Sequence, residues 1–479
     1  MHDVDAGITM QSCLRRPVCC NYLTYKGKIM ARKLVVLSDG SWIAPQFRSK
    51  NRRVPGNATL AYHAIAEQNT DGKPQIRYLH DQEAKPSFRR RLMQRTFGLG
   101  MKAEIYNSYT FLAQNYRGEE DDIYLFGAGL GACNIRRLTD LLDKVGLLSP
   151  EELHLLPEAY EYSQIPAEAL ETPGAKSLAE QLPAKPVRIR FLGCWDTVGS
   201  HGLPLPGLHG ISQSWMTFHD HKINANVENA YQALALDERR SRFKPGLWTG
   251  VHSTDTKSVE QVWFPGSHEN IVGGRRDSRL SDIALRWLLD RAAEQGLHID
   301  TEKLEELITP DILGKIAMDR RKVLGVRVPF KKLFNRPVGM AGKSFPPEFV
   351  PEKLHESVLK RRELDKKYRP RQLASLSDSD IPVYREHMNA ETNKRRYPRQ
   401  KIDWPGFIIT NETKMKVSLV DYSRSGAKIW LQGKLPKGTE LVLQSSRTFS
   451  DGLKSRVVWT QDNFLGLEFA TPLPAEATA

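Results

Sequence analysis

The chain has 479 residues, a formal net charge of +14 and 26% charged side chains. At roughly 100–200 residues per domain, this length predicts two or three folded units. The sequence contains no run of about 18 apolar residues, so we expect no membrane-spanning helix. The cysteine usage fits a reducing cytoplasm. The five cysteines are odd in number and lack metal-ligand spacing, which argues against a disulfide framework and a zinc site. We expect no metal and no cofactor.

Residues 1–30 show no hydrophobic period and hold three of the five cysteines. We predict that they form a non-structural extension, and we interpret Met30 rather than Met1 as the true start. A secretory signal peptide is the alternative. The stretch from Cys13 to Tyr25, however, lacks the continuous apolar segment that such a peptide needs.

Residues 31–309 alternate short apolar runs with amphipathic stretches, which is typical of an α/β domain around a mostly parallel sheet. Each predicted strand ends in a loop rich in Gly, Asp or His, and open α/β sheets place their functional groups at such carboxyl ends. The predicted strands are Lys33–Ser38, Asp122–Phe126, Val187–Gly193 and Val259–Phe264. The predicted helices are Ala103–Tyr116, Ala132–Val145 and Leu280–Glu294.

Residues 310–392 are predicted to form a basic, Pro-rich connector. Between Thr309 and Lys401 there are 23 Lys and Arg against 11 Asp and Glu. Such a segment suits an anionic membrane surface or a nucleic acid, and a solvated linker is the alternative. We expect an anionic membrane as a partner rather than a specific nucleic acid.

From Ile402 the hydrophobic pattern becomes an alternation with a period of two. The predicted strands are Phe407–Thr410, Lys416–Val420, Ala427–Leu431, Glu440–Gln444, Ser455–Trp459 and Leu465–Phe469. Their connecting turns are expected at Gly433, Pro436-Lys437-Gly438, Asp451-Gly452 and Asp462-Asn463. Residues 393–470 thus predict a small antiparallel β-barrel after the α/β sheet, and residues 471–479 a tail.

Two short motifs open this barrel region. They are Arg395-Arg396-Tyr397-Pro398-Arg399 and Asp421-Tyr422-Ser423-Arg424-Ser425-Gly426. Arginines four apart present planar forks that bind phosphate and the O6/N7 edge of guanine. Asp421 can accept from guanine N–H groups, Ser423 can bond phosphate or its own turn, and Gly426 is expected to supply the positive φ of a tight turn. The combination predicts a site for a nucleotide with two phosphates.

With the closing Gly466-Leu467-Glu468-Phe469, these motifs resemble the PilZ domain, the bacterial receptor for cyclic di-GMP. The resemblance implies cyclic di-GMP as a regulatory ligand. The residues that it assigns to the ligand are Arg395, Arg399, Asp421, Ser423 and Gly426; Arg396 offers a further fork, and Trp459 or Tyr422 a surface for base stacking. The alternative is a barrel whose basic flank is simply solvated.

Four segments upstream carry a second resemblance. They are Leu37-Ser38-Asp39-Gly40-Ser41-Trp42, Asp122-Ile123-Tyr124-Leu125-Phe126-Gly127, Gly193-Cys194-Trp195-Asp196-Thr197-Val198-Gly199-Ser200 and Trp263-Phe264-Pro265-Gly266-Ser267-His268. Together they resemble the α/β-hydrolase family that contains the phospholipase effectors of bacterial type VI secretion. That family uses a serine nucleophile on a strand–turn–helix elbow, with an Asp and a His.

The resemblance assigns the acid and base positions to Asp196 and His268. At the elbow the family pattern resembles Gly-Phe-Ser-Arg-Gly, whereas this chain has Gly127-Ala128-Gly129-Leu130-Gly131. Gly129 therefore takes the nucleophile position, and glycine carries no hydroxyl. Asn270 and Gln232 stand where the family usually has an aspartate and a histidine. We interpret the domain as a degenerate hydrolase that contacts a downstream protein partner.

Two alternatives remain open for this region. Gly127-x-Gly129-x-x-Ala132 also fits a dinucleotide-binding fingerprint. A rescued enzyme is the other alternative, with a nucleophile from Cys133, Ser200, Ser267 or a water activated by Asp196 and His268. The sequence therefore predicts a cyclic di-GMP receptor that regulates an inactive hydrolase-like domain, with a cyclic di-GMP-regulated lipase or esterase as the alternative.

Overall fold

The structure is a computed structural model. It describes residues 31–40, 48–49, 52–80, 99–166, 169–198, 221–240, 243–253, 255–317, 321–323, 326–328, 335–336, 338, 350, 352–374, 383–384, 399–410, 413–431, 435–445, 449–461, 464–471 and 473. The predicted extension, residues 1–30, lies outside this part of the chain. None of the helices in the described residues combines the length and apolar character that a bilayer crossing requires.

The N-terminal region is built on one sheet of eight strands, and every neighbouring pair is parallel. In chain order the strands are β1 (Lys33–Asp39), β2 (Gln75–His80), β3 (Asp122–Ala128), β4 (Ile189–Trp195), β5 (Asn229–Ala235), β6 (Ser258–Phe264), β7 (Glu352–His355) and β8 (Val383–Tyr384). Their spatial order is β8-β7-β6-β5-β4-β3-β1-β2. The predicted α/β class is confirmed.

Helices connect and cover these strands. They are α1 (Asn57–Ala64), α2 (Leu99–Asn115), α3 (Leu130–Lys144), α4 (Leu156–Ser163), α5 (Pro173–Glu180), α6 (Glu269–Val272), α7 (Arg279–Glu294), α8 (Thr301–Leu307) and α9 (Glu356–Leu364). Short 3-10 helices span Pro150–Leu155 and Arg371–Leu373. Short ladders pair Arg48–Ser49 with Arg52–Arg53, Lys222–Ile223 with Gly250–Val251, and Arg321–Val323 with Val326–Val328.

The two faces of the sheet pack against different helices. Successive strand residues point to opposite faces, so Val35 and Leu37 contact one core while Leu34 and Val36 contact the other. Helices α1 and α7 cover the first face, and α2, α3 and α4 cover the second. Because both faces are covered, residues 34–37 of β1 are all apolar rather than alternating.

The segment predicted as a connector, residues 310–392, contributes directly to this fold. Its strands β7 and β8 extend the sheet beyond β6, with Val262 paired to Lys353 and Leu354 to Val383. In α9, Val358 is buried in a cluster with Trp263 of β6. The interpretation as a connector alone was therefore wrong: backbone pairing and apolar burial hold short parts of this basic segment in the α/β domain.

The C-terminal region is a closed antiparallel barrel of six strands. They are β9 (Arg399–Ile409), β10 (Lys414–Ser423), β11 (Gly426–Trp430), β12 (Glu440–Ser445), β13 (Phe449–Gln461) and β14 (Phe464–Phe469), ordered β9-β10-β11-β14-β13-β12 and closed by β12 on β9. The turn expected at Asp451-Gly452 is wrong, since both residues lie within β13. Gly452 there has a φ of +83° and packs closely on Val442.

A buried carboxylate fixes α2 to the sheet. Glu104 accepts a hydrogen bond from the Ser38 hydroxyl at the end of β1, and His80 Nε2 lies 3.8 Å from its other oxygen. Burial, the largest influence, raises the pKa of Glu104 to about 8 despite the Ser38 hydrogen bond. The folded protein thus keeps Glu104 protonated at pH values where the unfolded chain releases the proton.

We expect Glu104→Gln to stabilise the protein increasingly as pH rises. The folded pKa of Glu104, about 8, lies above its ordinary value of 4.5, so wild-type stability falls with pH across that interval. The neutral amide escapes this loss. Urea unfolding at pH 5, 6.5 and 8 measures the difference, with Glu119→Gln on the surface as the control. A stability difference that does not change with pH would contradict the assignment.

Candidate functional site

The turn from β3 into α3 has the geometry of a strand–turn–helix elbow. Gly129 follows β3 directly with φ +61° and ψ −113°, and α3 begins at the next residue. The flanking glycines are required by close packing. A Cβ on Gly127 would lie 2.4 Å from the Ala132 Cα, and one on Gly131 would lie 2.3 Å from the Ser38 carbonyl oxygen. The elbow therefore brings the backbone at Gly129 to the carboxyl edge of the sheet.

Asp196 and His268 meet at the same edge. Asp196 follows β4 and His268 follows the turn after β6, so their strands deliver both residues to one end of the sheet. The His268 Nδ1 lies 2.6 Å from the Asp196 Oδ2. Asp196 has a φ of +45°, a left-handed backbone that is strained for a residue with a Cβ. The two residues that the sequence predicted as acid and base are in hydrogen-bond contact.

The other imidazole nitrogen of His268 faces the elbow. A Cβ built on Gly129 would lie 3.1 Å from His268 Nε2 and 3.7 Å from the Val272 Cγ1. A side chain at residue 129 would therefore contact the imidazole directly. Gly129, Asp196 and His268 thus have the relative arrangement of a catalytic triad, with glycine at the position that faces the base.

Arg336 also contacts Asp196, and sequence reasoning missed it. Its guanidinium donates to Asp196 Oδ1 at 2.5 Å and to Oδ2 at 3.0 Å, and also to the carbonyl oxygens of Ala235 and Phe243. The side chain is fully buried. Burial raises the pKa of Asp196, but the Arg336 charge and the His268 hydrogen bond outweigh burial and hold the pKa well below its usual range.

A second ion cluster holds the backbone around His268. Arg240 contacts Glu238 at 2.7 Å and Glu269 at 2.8 Å, and Glu238 accepts from the His268 backbone N–H at 3.1 Å. The Phe243 ring lies 4.9 Å from the imidazole, centroid to centroid. These contacts fix the orientation of His268 and leave its Nε2 edge directed at Gly129.

Two of the alternative nucleophiles, Cys133 and Ser267, are poorly placed. Cys133 is completely buried, and burial raises the pKa of its thiol. Little of the nucleophilic thiolate therefore forms. The Ser267 hydroxyl lies 3.0 Å from Glu269 and 3.2 Å from Asn270, and Ser200 lies outside the described residues. In the described part of the chain, no cluster of His, Cys, Asp and Glu forms a metal site.

The two residues that depart from the resemblance have structural roles. The Gln232 amide donates to the Gly246 carbonyl and to the Gln261 Oε1, each at 3.2 Å. Asn270 accepts from the backbone N–H groups of Ser267 and Ala317. Both side chains therefore join loops at the carboxyl edge of the sheet.

In the barrel, strand register aligns the two predicted ligand motifs. Arg399 on β9 pairs with Ser423 on β10, and Ser423 pairs with Gly426 on β11. In the neighbouring row, Asp421 pairs with Lys401 on one side and with Lys428 on the other. The second motif thus lies beside the end of the first. Arg395 and Arg396 lie outside the described residues.

Gly426 is required for a reason other than the predicted positive φ. Gly426 is not among the described residues with positive φ. Instead, a Cβ on Gly426 would lie 2.2 Å from the Leu467 carbonyl oxygen, so β14 packs against the bare backbone. The expected turn geometry at Gly426 was wrong, because cross-strand packing sets the constraint.

The two aromatic residues considered for base stacking differ in exposure. Tyr422 is 3% exposed and belongs to the barrel core, so stacking on it is excluded. Trp459 is partly exposed, packs over Gly466, and has the Lys428 ammonium 5.6 Å from its ring centre. Trp459 therefore remains the aromatic surface next to the row that contains Asp421.

Comparison with known families agrees with this architecture. Residues 32–291 match the model for the T6SS phospholipase effector Tle1-like catalytic domain. The chain belongs to this Tle1-like family. Residues 393–478 match the PilZ domain, so a PilZ domain, the fold of cyclic di-GMP receptors, is fused to a Tle1-like domain. The predicted pair of family resemblances is confirmed.

Individual relatives are distant from this Tle1-like chain. Uncharacterized protein YEL023C of Saccharomyces cerevisiae is 29% identical over 166 residues, 33% of this chain and 23% of that protein. The Tle1 effector bound to the VgrG spike from the Type 6 secretion system shows 16% identity and a TM-score of 0.29, with 52% of this chain and 51% of that chain covered.

Two further solved structures are similar to this chain over a smaller share of its length. YcgR from Escherichia coli in complex with c-di-GMP shows 17% identity and a TM-score of 0.15, covering 18% of this chain and 41% of that chain. Borreliella burgdorferi PlzA in complex with c-di-GMP shows 22% identity and a TM-score of 0.15, covering 18% and 38%. The chain spans less than two thirds of each of these four relatives.

Loss of the Arg336 charge should strongly destabilise the Tle1-like domain. We expect Arg336→Met to lower the free energy of unfolding by about 3–5 kcal/mol, because it leaves a buried carboxylate without its cation. Arg336→Met combined with Asp196→Asn should recover much of that loss. Urea denaturation measures both, and Lys176→Met, in an exposed ion pair with Glu171, is the control, expected to cost at most about 1 kcal/mol.

The Asp196–Arg336 ion pair also makes the stability of the fold depend on pH, in a direction set by the pKa of Asp196. The folded protein holds the pKa of Asp196 below its value in the unfolded chain. The stability from this residue is therefore complete above about pH 4 and declines as pH falls further. An Arg336→Met variant as stable as Lys176→Met would rule out the ion pair as a structural element.

Proposed function

We propose that the chain is a cyclic di-GMP receptor in which nucleotide binding to the PilZ domain regulates a hydrolase-like domain that has lost acyl-transfer chemistry. The regulated domain is proposed to span residues 31–309 together with the strands that residues 310–392 add to its sheet. The PilZ domain is proposed to span residues 393–470. The signal is read through contact with a downstream protein in the cytoplasm.

The register of the barrel carries the receptor part of this proposal. Arg399, Ser423 and Gly426 form one row across three strands, so the two motifs meet at one location. Arginine, serine and aspartate at neighbouring register positions would provide donors for phosphate and acceptors for guanine N–H groups. We propose that Arg395, Arg396, Arg399, Asp421, Ser423 and Gly426 form the cyclic di-GMP site.

The elbow supports the loss of chemistry. Glycine at residue 129 faces the base without a hydroxyl, and removal of a triad nucleophile costs on the order of 10⁶-fold in rate. Arg336 adds a second effect. In a working triad the carboxylate stabilises the imidazolium that forms during the reaction, whereas here the Asp196 charge is already shared with a guanidinium.

The route between the domains supports regulation. Residues 310–392 lead from the hydrolase-like domain to the arginine motif. On the way they supply Arg336 to Asp196 and add β7 and β8 to the sheet. A nucleotide that orders the arginine-bearing segment would change the chain that carries these contacts, which is an order–disorder mechanism of switching.

A second candidate function is a cyclic di-GMP-regulated lipase or esterase. It is favoured by the Asp196–His268 hydrogen bond of 2.6 Å, which could orient the imidazole to activate a water. The position of Nε2 beside Gly129 would aim such a water at an ester bound at the elbow.

Residues around α9 support a membrane contact in addition to the protein partner. Leu364 is 64% exposed, and the exposed side chains of Lys366, Lys367, Arg369 and Arg371 follow it. An apolar side chain next to several cations suits an anionic membrane surface. Arg361, within α9, is not available for a membrane contact, since it is buried and donates to the Gly314 carbonyl at 2.8 Å.

Calorimetric titration of the full chain with cyclic di-GMP tests the receptor. We expect wild type to bind and Arg399→Ala to lose at least tenfold in affinity, because a charge-assisted hydrogen bond contributes about 1.5–3 kcal/mol. Lys437→Ala, at an exposed turn of the barrel, should bind like wild type. The absence of any cyclic di-GMP signal in the intact wild-type protein would end the receptor proposal.

Restoring the hydroxyl tests the loss of chemistry. We expect Gly129→Ser to hydrolyse p-nitrophenyl esters at least tenfold faster than wild type, and addition of His268→Ala to abolish the gain. Gly129→Ala is the matched control, since it shares the Cβ and the backbone strain at φ +61° but has no hydroxyl. Wild-type turnover that disappears in His268→Ala would instead favour the lipase or esterase.

A further inference from the structure

The barrel exposes two large aromatic side chains on the side formed by β9, β10 and β11. Phe407 on β9 is 42% exposed, and Trp430 on β11 is 37% exposed. Their neighbours along the strands, Ile408 and Ile429, are completely buried in the barrel core. Because successive residues of a strand point to opposite faces, both rings lie on the outer surface. Two such rings on one side of the barrel mark a candidate contact surface.

Two lysines on the middle strand, β10, accompany the rings. In the register, Lys416 lies opposite Phe407, and Ser418, two residues further along the same face, lies opposite Trp430. The Lys414 ammonium is 4.7 Å from the centre of the Phe407 ring. Both lysines are exposed. The four side chains of Phe407, Lys414, Lys416 and Trp430 form what we call the aromatic-lysine face.

The aromatic-lysine face is positively charged. The described residues 405–410, 413–418 and 428–431 include no Asp or Glu, and Glu412, in the turn between β9 and β10, lies outside the described residues. The opposite side of the barrel differs. On β13, Arg456 lies between Glu440 of β12 and Glu468 of β14 in the register. The lysines of β10 have no such carboxylate neighbours in the described part of the barrel, so this face suits an anionic partner.

The barrel also limits the kind of anionic partner. Because β12 pairs with β9, the described strands leave no open edge to which an extended peptide could add a strand. Contact with the same face of a second copy would bring like charges together. Near Phe407, β9 carries the exposed Pro405 and the partly exposed Ile409, whose side chains cannot hydrogen-bond a base or a phosphate. Rings and aliphatic groups beside lysines favour lipid over nucleic acid.

We propose that the aromatic-lysine face is a docking surface for an anionic lipid membrane. The rings of Phe407 and Trp430 enter the boundary between headgroups and acyl chains, where aromatic side chains are favoured. Lys414 and Lys416 keep their ammonium groups at the lipid phosphates while their apolar stems cover the surface around the rings. Each lysine near an anionic membrane contributes about fivefold to the partition coefficient.

The proposed surface is separate from the cyclic di-GMP site and from α9. Arg399 precedes Phe407 by eight residues on β9, and Gly426 precedes Trp430 by four on β11. These separations correspond to up to roughly 25 Å and about 13 Å along the strands. The inference therefore does not rest on nucleotide binding. It also goes beyond the membrane contact proposed around α9, because the two surfaces share no residue.

Co-sedimentation of the full chain with sucrose-loaded vesicles tests the proposal. We expect at least about tenfold stronger partitioning to vesicles of phosphatidylserine and phosphatidylcholine than to phosphatidylcholine alone. The double change Phe407→Ser with Trp430→Ser, and separately Lys416→Glu, should each lower partitioning by about fivefold or more. Matched controls are Leu313→Ser, at a leucine of the α/β region that is 48% exposed, and Lys454→Glu, at an exposed lysine on β13. Neither control should lower partitioning by more than about twofold.

Several results would overturn the proposal. Equal binding to the uncharged vesicles would remove the role of charge, and an equal loss in Lys454→Glu and Lys416→Glu would reduce it to net charge. Binding that Leu364→Ser abolishes, but that the changes at Phe407 and Trp430 leave intact, would place the membrane contact at α9 alone. Polyuridine binding or a dimer that the double change removes, without vesicle binding, would assign the face to nucleic acid or to a second copy.

Discussion

The carboxyl edge of the sheet is organised around one buried charge. Asp196 lies in a strained left-handed conformation and is completely buried, so its carboxylate needs every partner that it has. Those partners are His268, Arg336 and the backbone N–H of Ala235, which donates at 2.9 Å. They come from the ends of β5 and β6 and from residue 336, far along the chain. Pairing this one charge therefore requires several separate segments to be in place together.

Much of the fold could be predicted because its patterns are local. Strands β1, β3 and β4 are mostly apolar, β6 ends in an apolar run at residues 262–264, and the barrel strands alternate apolar and polar residues. The missed strands lack such signals. Strand β5 carries Asn229 and Gln232, whose amides find partners only in the folded sheet. Strands β7 and β8 are short and belong to a basic, Pro-rich segment, where their pairing with β6 and with each other decides the structure.

The residues of the candidate site also differ in how far the sequence could predict them. Asp196 and His268 follow predicted strands, so motif order and sheet topology together indicated that they meet. Arg336 gave no such signal, because an arginine in a cationic segment is expected on the surface. Only the tertiary structure brings it to a carboxylate 140 residues earlier. Gly426 shows a subtler limit: the motif identified the residue, but the cause of its requirement, contact with Leu467, lies on a strand distant in sequence.

The proposed loss of the nucleophile and the retention of the other two residues are physically consistent. A residue with a Cβ at the elbow conformation of Gly129 carries strain of about 1–3 kcal/mol, which glycine avoids. A chain that does not need the hydroxyl therefore gains stability from glycine. Asp196 cannot be exchanged so freely, because its removal would leave Arg336 buried without an anion. His268 in turn completes the hydrogen bonds of Asp196. Structural need is thus sufficient to retain Asp196 and His268 beside Gly129.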